Sequence, residues 1–339
     1  MTHSLFTEAA RRLAALKMRE GLRPLVVDVE RAYDRMSAGI EEAQAVRALV
    51  REVASRSRLK YVLLLGDDTF DPRDRTGAGL VSYVPSLYGW DGEFGRVPSE
   101  NRYADLDGDR LPDLAIGRLP AQTPEQAALL VDKIARQRRV LASAAGRHLI
   151  AVDDSGPGDI SFRAEGEALA SRLPAPPLWA DLSLGIGTAR ESLLSAWADG
   201  PQTTHYFGHG GHDRWADEAL LTAADAAALA ESGGETVLFT WTCETQWYLY
   251  DAGPTVNEAM LLAPHGGALA SVGPTGISQP QLQKALAHAV YRRFLRGMTL
   301  GEAVRRAKGE VGRASPAAAA VLDGFTLLGD PALRLQVRP

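Results

Sequence analysis

Short apolar runs alternate with amphipathic helical segments along almost the whole chain of 339 residues. The run KYVLLLGDD (60–68) is apolar until it ends in Gly-Asp-Asp, which is typical of a buried parallel strand with polar residues at its carboxyl end. The segment TPEQAALLVDKIARQRRVLA (123–142) opens with Thr123 as a helix N-cap and Pro124 at the first helical position. Strands that alternate with helices predict an α/β fold with a mostly parallel, doubly wound sheet.

The same alternation predicts the remaining elements. Strands are predicted at 24–29, 114–119, 148–154, 204–210, 236–243, 266–273 and 333–337. Helices are predicted at 5–16, 40–57, 162–173, 222–232, 281–297 and 299–312. The segment ASAAGR (142–147) separates two halves of this pattern. We therefore expect two side-by-side subdomains, one at 1–145 and one at 146–339.

Composition excludes several classes of partner. The net charge of -5 and the pI of about 5.9 give no basic field that would attract nucleic acid. No run of 18 apolar residues is present, so we expect no membrane partner. The first residues lack the apolar core of a signal peptide. Two locations stay open: the cytoplasm, or the periplasm or exterior if the sequence is part of a longer exported chain.

Side chains that suit nucleophilic catalysis follow three of the predicted parallel strands. Cys243, His209 and the pair Asp153 and Asp154 each stand at a strand end, where such sheets bind their ligands. A thiol, an imidazole and a carboxylate can serve as nucleophile, proton shuttle and orienting group. The predicted crossover helix lets adjacent strands present Cys243 and His209 at one edge. We expect the backbone N–H groups of Gly210 and Cys243 to bind the oxyanion.

The segment THYFGHGGHDRW (204–215) also permits a zinc hydrolase built on His205, His209 and His212. Its β-branched and aromatic residues precede glycines, which predicts a strand and then a turn. In a strand, His205 and His209 would lie about 13 Å apart on one face, because each residue advances about 3.3 Å. Two ligands of one zinc must each come within about 2.1 Å of the ion. We therefore favour a general base at His209.

Four aspartates crowd the short segment DLDGDRLPD (105–113): Asp105, Asp107, Asp109 and Asp113. Clustered hard oxygen ligands suit Ca²⁺, although the glutamate at position 12 of an EF-hand loop is missing. Four carboxylates would repel one another without a cation. The pattern predicts a structural Ca²⁺ site, and the alternative is a solvated acidic turn. No organic cofactor is predicted.

The blocks YFGHGG (206–211) and TWTCET (240–245) resemble the gingipain-like cysteine peptidases, peptidase family C25 of the caspase-like clan. Further blocks similar to that family cover nearly the whole chain: KYVLLLGDDTFDPR (60–73), YADLDGDRLPDLAIGRLP (103–120) and FTLLGDPALRL (325–335). The resemblance implies a caspase-like three-layer αβα sandwich and a cysteine endopeptidase that acts on protein or peptide substrates.

The resemblance also implies site residues. It places the catalytic dyad at Cys243 and His209, with an orienting carboxylate for which Asp154 is the best match and Asp153 the next. The alternative is a calcium-stabilised caspase-like module that binds a partner without turnover. An intact Cys and His pair favours the enzyme, because a binding module needs neither.

Substrate preference is the weakest part of the resemblance. Arginine-specific members place an aspartate at the start of the following helix, in the pocket for the residue before the scissile bond. Phe162 stands at that position here, which weakens the expectation of cleavage after arginine or lysine. Glu244 could determine specificity or pair with an arginine. Trp215 is expected to wall the pocket or to anchor its loop. The segment 271–280 is expected to form a pocket wall that includes Ser271, Val272 and Gly273.

Overall fold

The computed structural model describes residues 1–90, 95–156, 160–226, 229, 234–314, 318 and 322–335. Within these ranges the α-helices are α1 (Thr7–Arg19), α2 (Val29–Met36), α3 (Ala43–Arg56), α4 (Asn101–Ala104), α5 (Pro124–Ser143), α6 (Phe162–Ala170), α7 (Ile186–Ala198), α8 (Val256–Leu262), α9 (Pro280–Phe294) and α10 (Leu300–Ala314). The strands are β1 (Tyr61–Leu65), β2 (Tyr88–Trp90), β3 (Arg96–Pro98), β4 (Ala115–Leu119), β5 (His148–Val152), β6 (Leu178–Asp181), β7 (Thr203–Phe207), β8 (Arg214–Trp215), β9 (Leu221–Thr222), β10 (Glu235–Trp241), β11 (Gly267–Pro274) and β12 (Phe325–Leu328).

One eight-stranded sheet, in the order β1-β4-β12-β11-β10-β7-β5-β6, organises the molecule. The strands from β11 to β6 are parallel to one another, and β1, β4 and β12 are parallel to one another. The two groups run in opposite directions because β12 pairs with β11 antiparallel. The predicted mostly parallel sheet is confirmed, and it continues without a break from β4 to β11. The division into two subdomains stays a prediction.

Helices cover both faces of the sheet. Along β5, Leu149 and Ala151 face a core that α1, α5, α7 and α8 complete. Ile150 and Val152 face a second core, to which α6, α9 and α10 contribute. A strand that is apolar on both faces is typical of a sheet buried between two helical layers. The predicted three-layer αβα sandwich is confirmed.

Two strand predictions are wrong. Residues 24–27 form no strand: Leu25 is 65% exposed and Val26 is 38% exposed. Asp28 instead caps α2, because its side chain accepts a hydrogen bond from the N–H of Glu30. The last strand is β12, whereas residues 333–335 are irregular and 336–337 lie outside the described residues.

Other details of the fold bear on the site. The N-cap role of Thr123 is confirmed, because its side chain accepts from the N–H of Gln126. The predicted crossover helix at 222–232 falls partly outside the described residues. Among the residues that are described, no helix combines the length and the apolar character needed to cross a bilayer.

Candidate active site

The register of β7 and β10 brings the ends of these two strands level with each other. The strands are parallel neighbours, and Phe207 lies opposite Trp241. His209 and Cys243 each follow two positions later, and adjacent strands lie about 4.8 Å apart. The two turns also touch, because a Cβ atom on Gly210 would lie 2.6 Å from Thr242 Oγ1. The sheet therefore presents an imidazole and a thiol on neighbouring turns at one edge.

The two side chains differ in their exposure to solvent. The side chain of His209 is exposed, and Cys243 is half-buried. The Sγ atom of Cys243 lies 3.9 Å from the carbonyl oxygen of Ser278, to which the thiol can donate. Neither side chain is therefore enclosed in the core of the protein.

Three neighbours hold His209 in place. The Oδ2 atom of Asp153 accepts a hydrogen bond of 2.8 Å from its backbone N–H, and Tyr206 donates its hydroxyl to the His209 carbonyl at 2.6 Å. Phe162, the first residue of α6, packs its ring edge-on against the imidazole, with 5.2 Å between ring centroids. These contacts fix the backbone of His209 on both sides and limit where its ring can lie.

Asp153, and not the preferred Asp154, makes this contact. Asp153 is buried, whereas Asp154 beside it is exposed. Burial raises the pKa of Asp153 to about 6, and the nearby carboxylates of Asp154 and Glu218 act in the same direction. The hydrogen bond from His209 opposes that rise in pKa. Oxygens of these three acids lie within 4.8 Å of one another.

A buried glutamine on α9 fixes the turn that carries Cys243. The Nε2 atom of Gln283 donates to the carbonyl of Thr242 at 2.9 Å and to the carbonyl of Ser278 at 3.0 Å. The hydroxyl of Ser278 also donates to the Thr242 carbonyl. These bonds hold the loop after β11 against the thiol. Gln283 was not predicted as a site residue, and its only signal in the sequence was a polar residue on the apolar side of a helix.

The backbone N–H groups of the two turns differ in their hydrogen bonding. The N–H of Gly210 makes no hydrogen bond with any residue in the described ranges. Glu244 directly after the thiol has a φ angle of 54°, which is uncommon for a residue other than glycine. Its N–H donates to the carbonyl of Gly276 at 3.2 Å. The chain therefore turns sharply at Cys243.

A buried ionic network supports the segment that follows Cys243. Arg118 on β4 donates its Nε–H to Glu100 at 2.8 Å, and its guanidinium lies 4.8 Å from the centre of the Tyr248 ring. The Tyr248 hydroxyl donates to the same Glu100 carboxylate. Arg118 and Glu100 are both almost completely buried. This network was not predictable from the sequence, because its members lie far apart in the chain.

Several residues expected to bind substrate are instead packed inside the protein. Trp215 is fully buried and stacks on Tyr206, with 4.5 Å between ring centroids, so it anchors the loop and does not wall a pocket. Ser271 and Val272 are fully buried within β11. Gly273 is enclosed as well, because a Cβ atom there would lie 2.4 Å from Thr240 Oγ1. The pocket wall expected at Ser271, Val272 and Gly273 is therefore not found there, whereas Trp215 takes the second of its two expected roles, the loop anchor.

Glu244 faces a histidine and not an arginine. Its Oε1 atom lies 3.9 Å from Nε2 of His212. The His212 ring in turn stacks on Tyr250, with 4.3 Å between centroids and 19° between planes. This aromatic group lies directly beside the thiol, so Glu244 remains a candidate for contact with substrate.

The three histidines do not converge on a metal position. His205 is fully buried and stacks on Phe239 at 4.6 Å, and burial lowers its pKa well below the usual value. The ring of His212 stacks on Tyr250 and so has different aromatic neighbours from those of His205. Among the described residues, no group of three metal-ligating side chains includes a histidine. The zinc hydrolase interpretation is therefore not supported.

Three of the four aspartates in the acidic loop come together. Side-chain oxygens of Asp105, Asp107 and Asp109 lie within 4.8 Å of one another, a spacing that one Ca²⁺ with ligands at about 2.4 Å can bridge. Asp113 is directed elsewhere, because its Oδ2 atom accepts from the N–H of Leu106 at 2.8 Å. Arg47 lies 3.3 Å from Asp105 and neutralises part of this charge. The donor set fits a cation through three carboxylates, with Asp113 supporting the loop.

The family model of peptidase family C25 matches residues 1–336. The chain belongs to peptidase family C25. It is accordingly a hydrolase of the cysteine peptidase class, and the resemblance in the sequence is confirmed. The search of curated proteins found no match to the chain.

Solved structures agree on the fold. The chain is similar to the complex of the pro- and mature domains of RgpB from Porphyromonas gingivalis, with a TM-score of 0.80 and 18% identity over 99% of this chain and 79% of the other. It is similar to the Arg-specific cysteine proteinase gingipain R, with a TM-score of 0.75 and 18% identity over 97% and 76%. Dimeric latent PorU from Porphyromonas gingivalis matches with a TM-score of 0.53 and 18% identity over 99% and 30%. The caspase-like fold is therefore confirmed.

Proposed function

We propose that the chain is a cysteine endopeptidase whose catalytic dyad is Cys243 and His209. The observation that carries this proposal is the parallel register of β7 and β10. Phe207 pairs with Trp241, and His209 and Cys243 each stand two residues after this pair. Membership of a cysteine peptidase family supports it, because Cys243 is the only cysteine in the sequence.

The chemistry follows from the two groups. The thiolate of Cys243 attacks the carbonyl carbon of a peptide bond, and the imidazolium of His209 donates a proton to the leaving amine. An acyl-enzyme forms, and water activated by His209 hydrolyses it to release the acid and the free thiol. The N–H groups of Gly210 and Cys243 stabilise the oxyanion, and losing one such donor typically costs about 10²–10³ in kcat.

Asp153 is a positioning residue in this account. Its carboxylate holds the backbone of His209 at 2.8 Å and adds negative charge beside the imidazole. We infer that Asp153 takes the orienting role that the sequence analysis assigned first to Asp154, which stands exposed beside it.

The residue accepted before the scissile bond need not be basic. Phe162 brings an apolar ring against the imidazole, where arginine-specific relatives carry an aspartate. Glu165, one turn further along α6, is neutralised by Lys284 at 2.7 Å. We expect uncharged residues to be accepted, while Glu244 stays a candidate for contact with the substrate beside the thiol.

A structural Ca²⁺ on the acidic loop is a separate part of the proposal. Asp105, Asp107 and Asp109 would hold the ion, which supplies positive charge that offsets the repulsion among them. The loop precedes β4, which β12 and β11 separate from β10 in the sheet, so the ion would stabilise the fold and would not take part in peptide hydrolysis.

Paired histidine and cysteine variants test the dyad. Cys243→Ala and His209→Ala should each remove cleavage of casein and of a mixed peptide library, with internal cuts in the wild-type products showing endopeptidase action. His265→Ala is the matched control, because this histidine is exposed and lies on the loop before β11. Undiminished cleavage by Cys243→Ala would remove the thiol from the mechanism.

A further inference from the structure

A cavity of about 580 Å³ opens between the start of α3 and the hairpin that β2 and β3 form. This volume falls within the range of sites that bind small ligands or several side chains of a peptide. The residues that line the cavity do not include Cys243 or His209. It is therefore a second concave surface, distinct from the candidate active site.

Two large aromatic rings on β2 line this cavity without being covered by the fold. Tyr88 is 44% exposed and Trp90 is 48% exposed, while Gly89 between them is buried. Alternation along a strand places both rings on one face of the hairpin. A folded protein seldom leaves two neighbouring aromatic rings in water, and such exposure marks an interaction site.

Three arginines contribute to the same cavity: Arg47, Arg96 and Arg102. Two of them have acidic partners, because Arg47 lies 3.3 Å from Asp105 and Arg102 lies 2.5 Å from Asp323. Arg96 has no hydrogen bond or salt bridge with any residue that the structure describes, so its positive charge is not compensated there.

Arg96 contributes the accessible charge of this cavity. The Nε atoms of Arg47 and Arg102 are buried, with almost no exposed surface, so a ligand in the cavity does not reach them. The guanidinium of Arg96 lies beside two aromatic faces, a combination that suits a carboxylate group carried on a polypeptide.

One loop connects the hairpin to the turn that carries Cys243. Thr275 directly follows β11 and donates its hydroxyl to the carbonyl of Pro98 at 2.8 Å. The next residue, Gly276, accepts the N–H of Glu244 at 3.2 Å. The loop that holds Thr275 and Gly276 therefore contacts both the end of the hairpin and the residue that follows Cys243.

From these contacts we propose that the cavity is an exosite for acidic segments of polypeptide substrates. A glutamate or aspartate side chain would bind Arg96, while Tyr88 and Trp90 cover the peptide backbone. The binding step is independent of catalysis, whereas its use in substrate selection depends on the proposed peptidase activity.

Binding is tested with the intact chain carrying Cys243→Ala, so that no peptide is cut. The probe is a short fluorescein-labelled peptide of glutamate and glycine, and fluorescence anisotropy reports its affinity. Arg96→Ala should weaken binding about tenfold, the size of one lost charge-assisted hydrogen bond. Trp90→Ala should weaken it as well. Arg139→Ala on α5 is the matched control and should bind like the parent, because this exposed arginine lies on the other helical layer.

Several results would overturn the exosite. One is equal binding of a matched peptide in which glutamine replaces glutamate. Another is an Arg96→Ala protein that melts at the parent temperature and binds the glutamate peptide equally well. Binding of a nucleotide without binding of the glutamate peptide would assign the cavity to another class of ligand.

Kinetics with the catalytically intact chain tests the use of the exosite. Arg96→Ala should raise KM several-fold for a protein substrate with an acidic stretch, leave kcat unchanged, and leave cleavage of a short neutral peptide unchanged. An unaltered KM would contradict a role in substrate selection. If no protein substrate is cleaved at all, the proposed peptidase activity fails, while the anisotropy result still decides whether the cavity binds acidic peptides.

Discussion

The Oδ2 atom of Asp153 accepts a hydrogen bond of 2.8 Å from the backbone N–H of His209. Asp153 is buried, so its charge is costly, and burial raises its pKa to about 6. The protein therefore keeps a destabilising carboxylate directly beside the exposed imidazole. A carboxylate kept at such a cost beside the imidazole is expected of a group that positions His209, the role proposed above for Asp153.

The variant Asp153→Asn separates the effect of the Asp153 charge on catalysis from its effect on stability. The amide oxygen can still accept from His209, but the negative charge is gone, so kcat/KM at neutral pH should fall about tenfold, as expected for one lost charge interaction of about 1.4 kcal/mol. Stability should change in the opposite direction. A carboxyl whose folded pKa is raised favours the folded state below the unfolded pKa near 4 and loses that contribution as the pH rises through about 6.

Chemical denaturation between pH 4 and pH 7 measures the stability part of this prediction. The two proteins should have similar free energies of unfolding near pH 4. Near pH 7 the Asn variant should be more stable, by at most about 2 kcal/mol. A wild-type protein that is the more stable of the two at pH 7 would show that the ionised Asp153 stabilises the fold.

Removing the carboxylate of Glu100 should destabilise the protein strongly. Glu100→Ala leaves the buried guanidinium of Arg118 without its acidic partner, and breaking a buried ion pair in this way typically costs about 3–5 kcal/mol. Denaturant unfolding gives the loss of free energy directly. Arg35→Ala is the control, because the Arg35 side chain is exposed and solvent screens its pair with Glu52, so this variant should lose much less stability. Equal losses for the two variants would contradict the structural role of the network.

Phe162→Asp should alter substrate preference. It places a carboxylate at the start of α6, where the present ring lies 5.2 Å from the imidazole of His209. We expect kcat/KM for peptides with arginine before the scissile bond to rise relative to matched leucine peptides, by about tenfold, the size of one charge-assisted hydrogen bond. Phe162→Leu is the matched control and should keep the original preference. An unchanged ratio in the Asp variant would remove Phe162 from the specificity pocket.

Calcium should raise the melting temperature of the chain, because it binds the folded acidic loop more tightly than the unfolded one. Thermal unfolding in CaCl₂ and in EGTA measures the shift. The double variant Asp107→Asn/Asp109→Asn should lose the shift, since it removes two of the three converging carboxylates. Asp71→Asn is the control, because that acid lies on a different exposed loop. A wild-type melting temperature that is the same in CaCl₂ and in EGTA would rule out the ion.

The positions of Cys243 and His209 could be predicted from the sequence because each follows a long apolar strand, and parallel strands collect their carboxyl ends at one edge. The choice between Asp153 and Asp154 could not be made this way. The N–H of Asp153 continues the ladder by donating to the carbonyl of Phe207 at 2.9 Å, which turns Asp153 inward and leaves Asp154 outside. Because the two residues are identical and adjacent, the sequence does not indicate which of them is turned inward.

The reversal of strand direction at β12 could not be predicted from the sequence either. Phe325–Leu328 is short, and its pairing with β11 on one side and β4 on the other depends on contacts across hundreds of residues. The wall predicted at Ser271, Val272 and Gly273 failed for a related reason. The strand continues to Pro274, so the residues expected at the pocket still lie within the sheet. Apolar patterns locate strands well, but they do not fix strand ends or distant partners.

The central claim is that the sulfur of Cys243 is the nucleophile that His209 serves. Because the sequence holds one cysteine, iodoacetamide labelling followed by intact mass has only this thiol to modify. We predict that loss of proteolysis parallels the appearance of one adduct, and that His209→Ala slows labelling at neutral pH while His265→Ala does not. Full proteolytic activity in a sample whose Cys243 is completely alkylated would contradict the account.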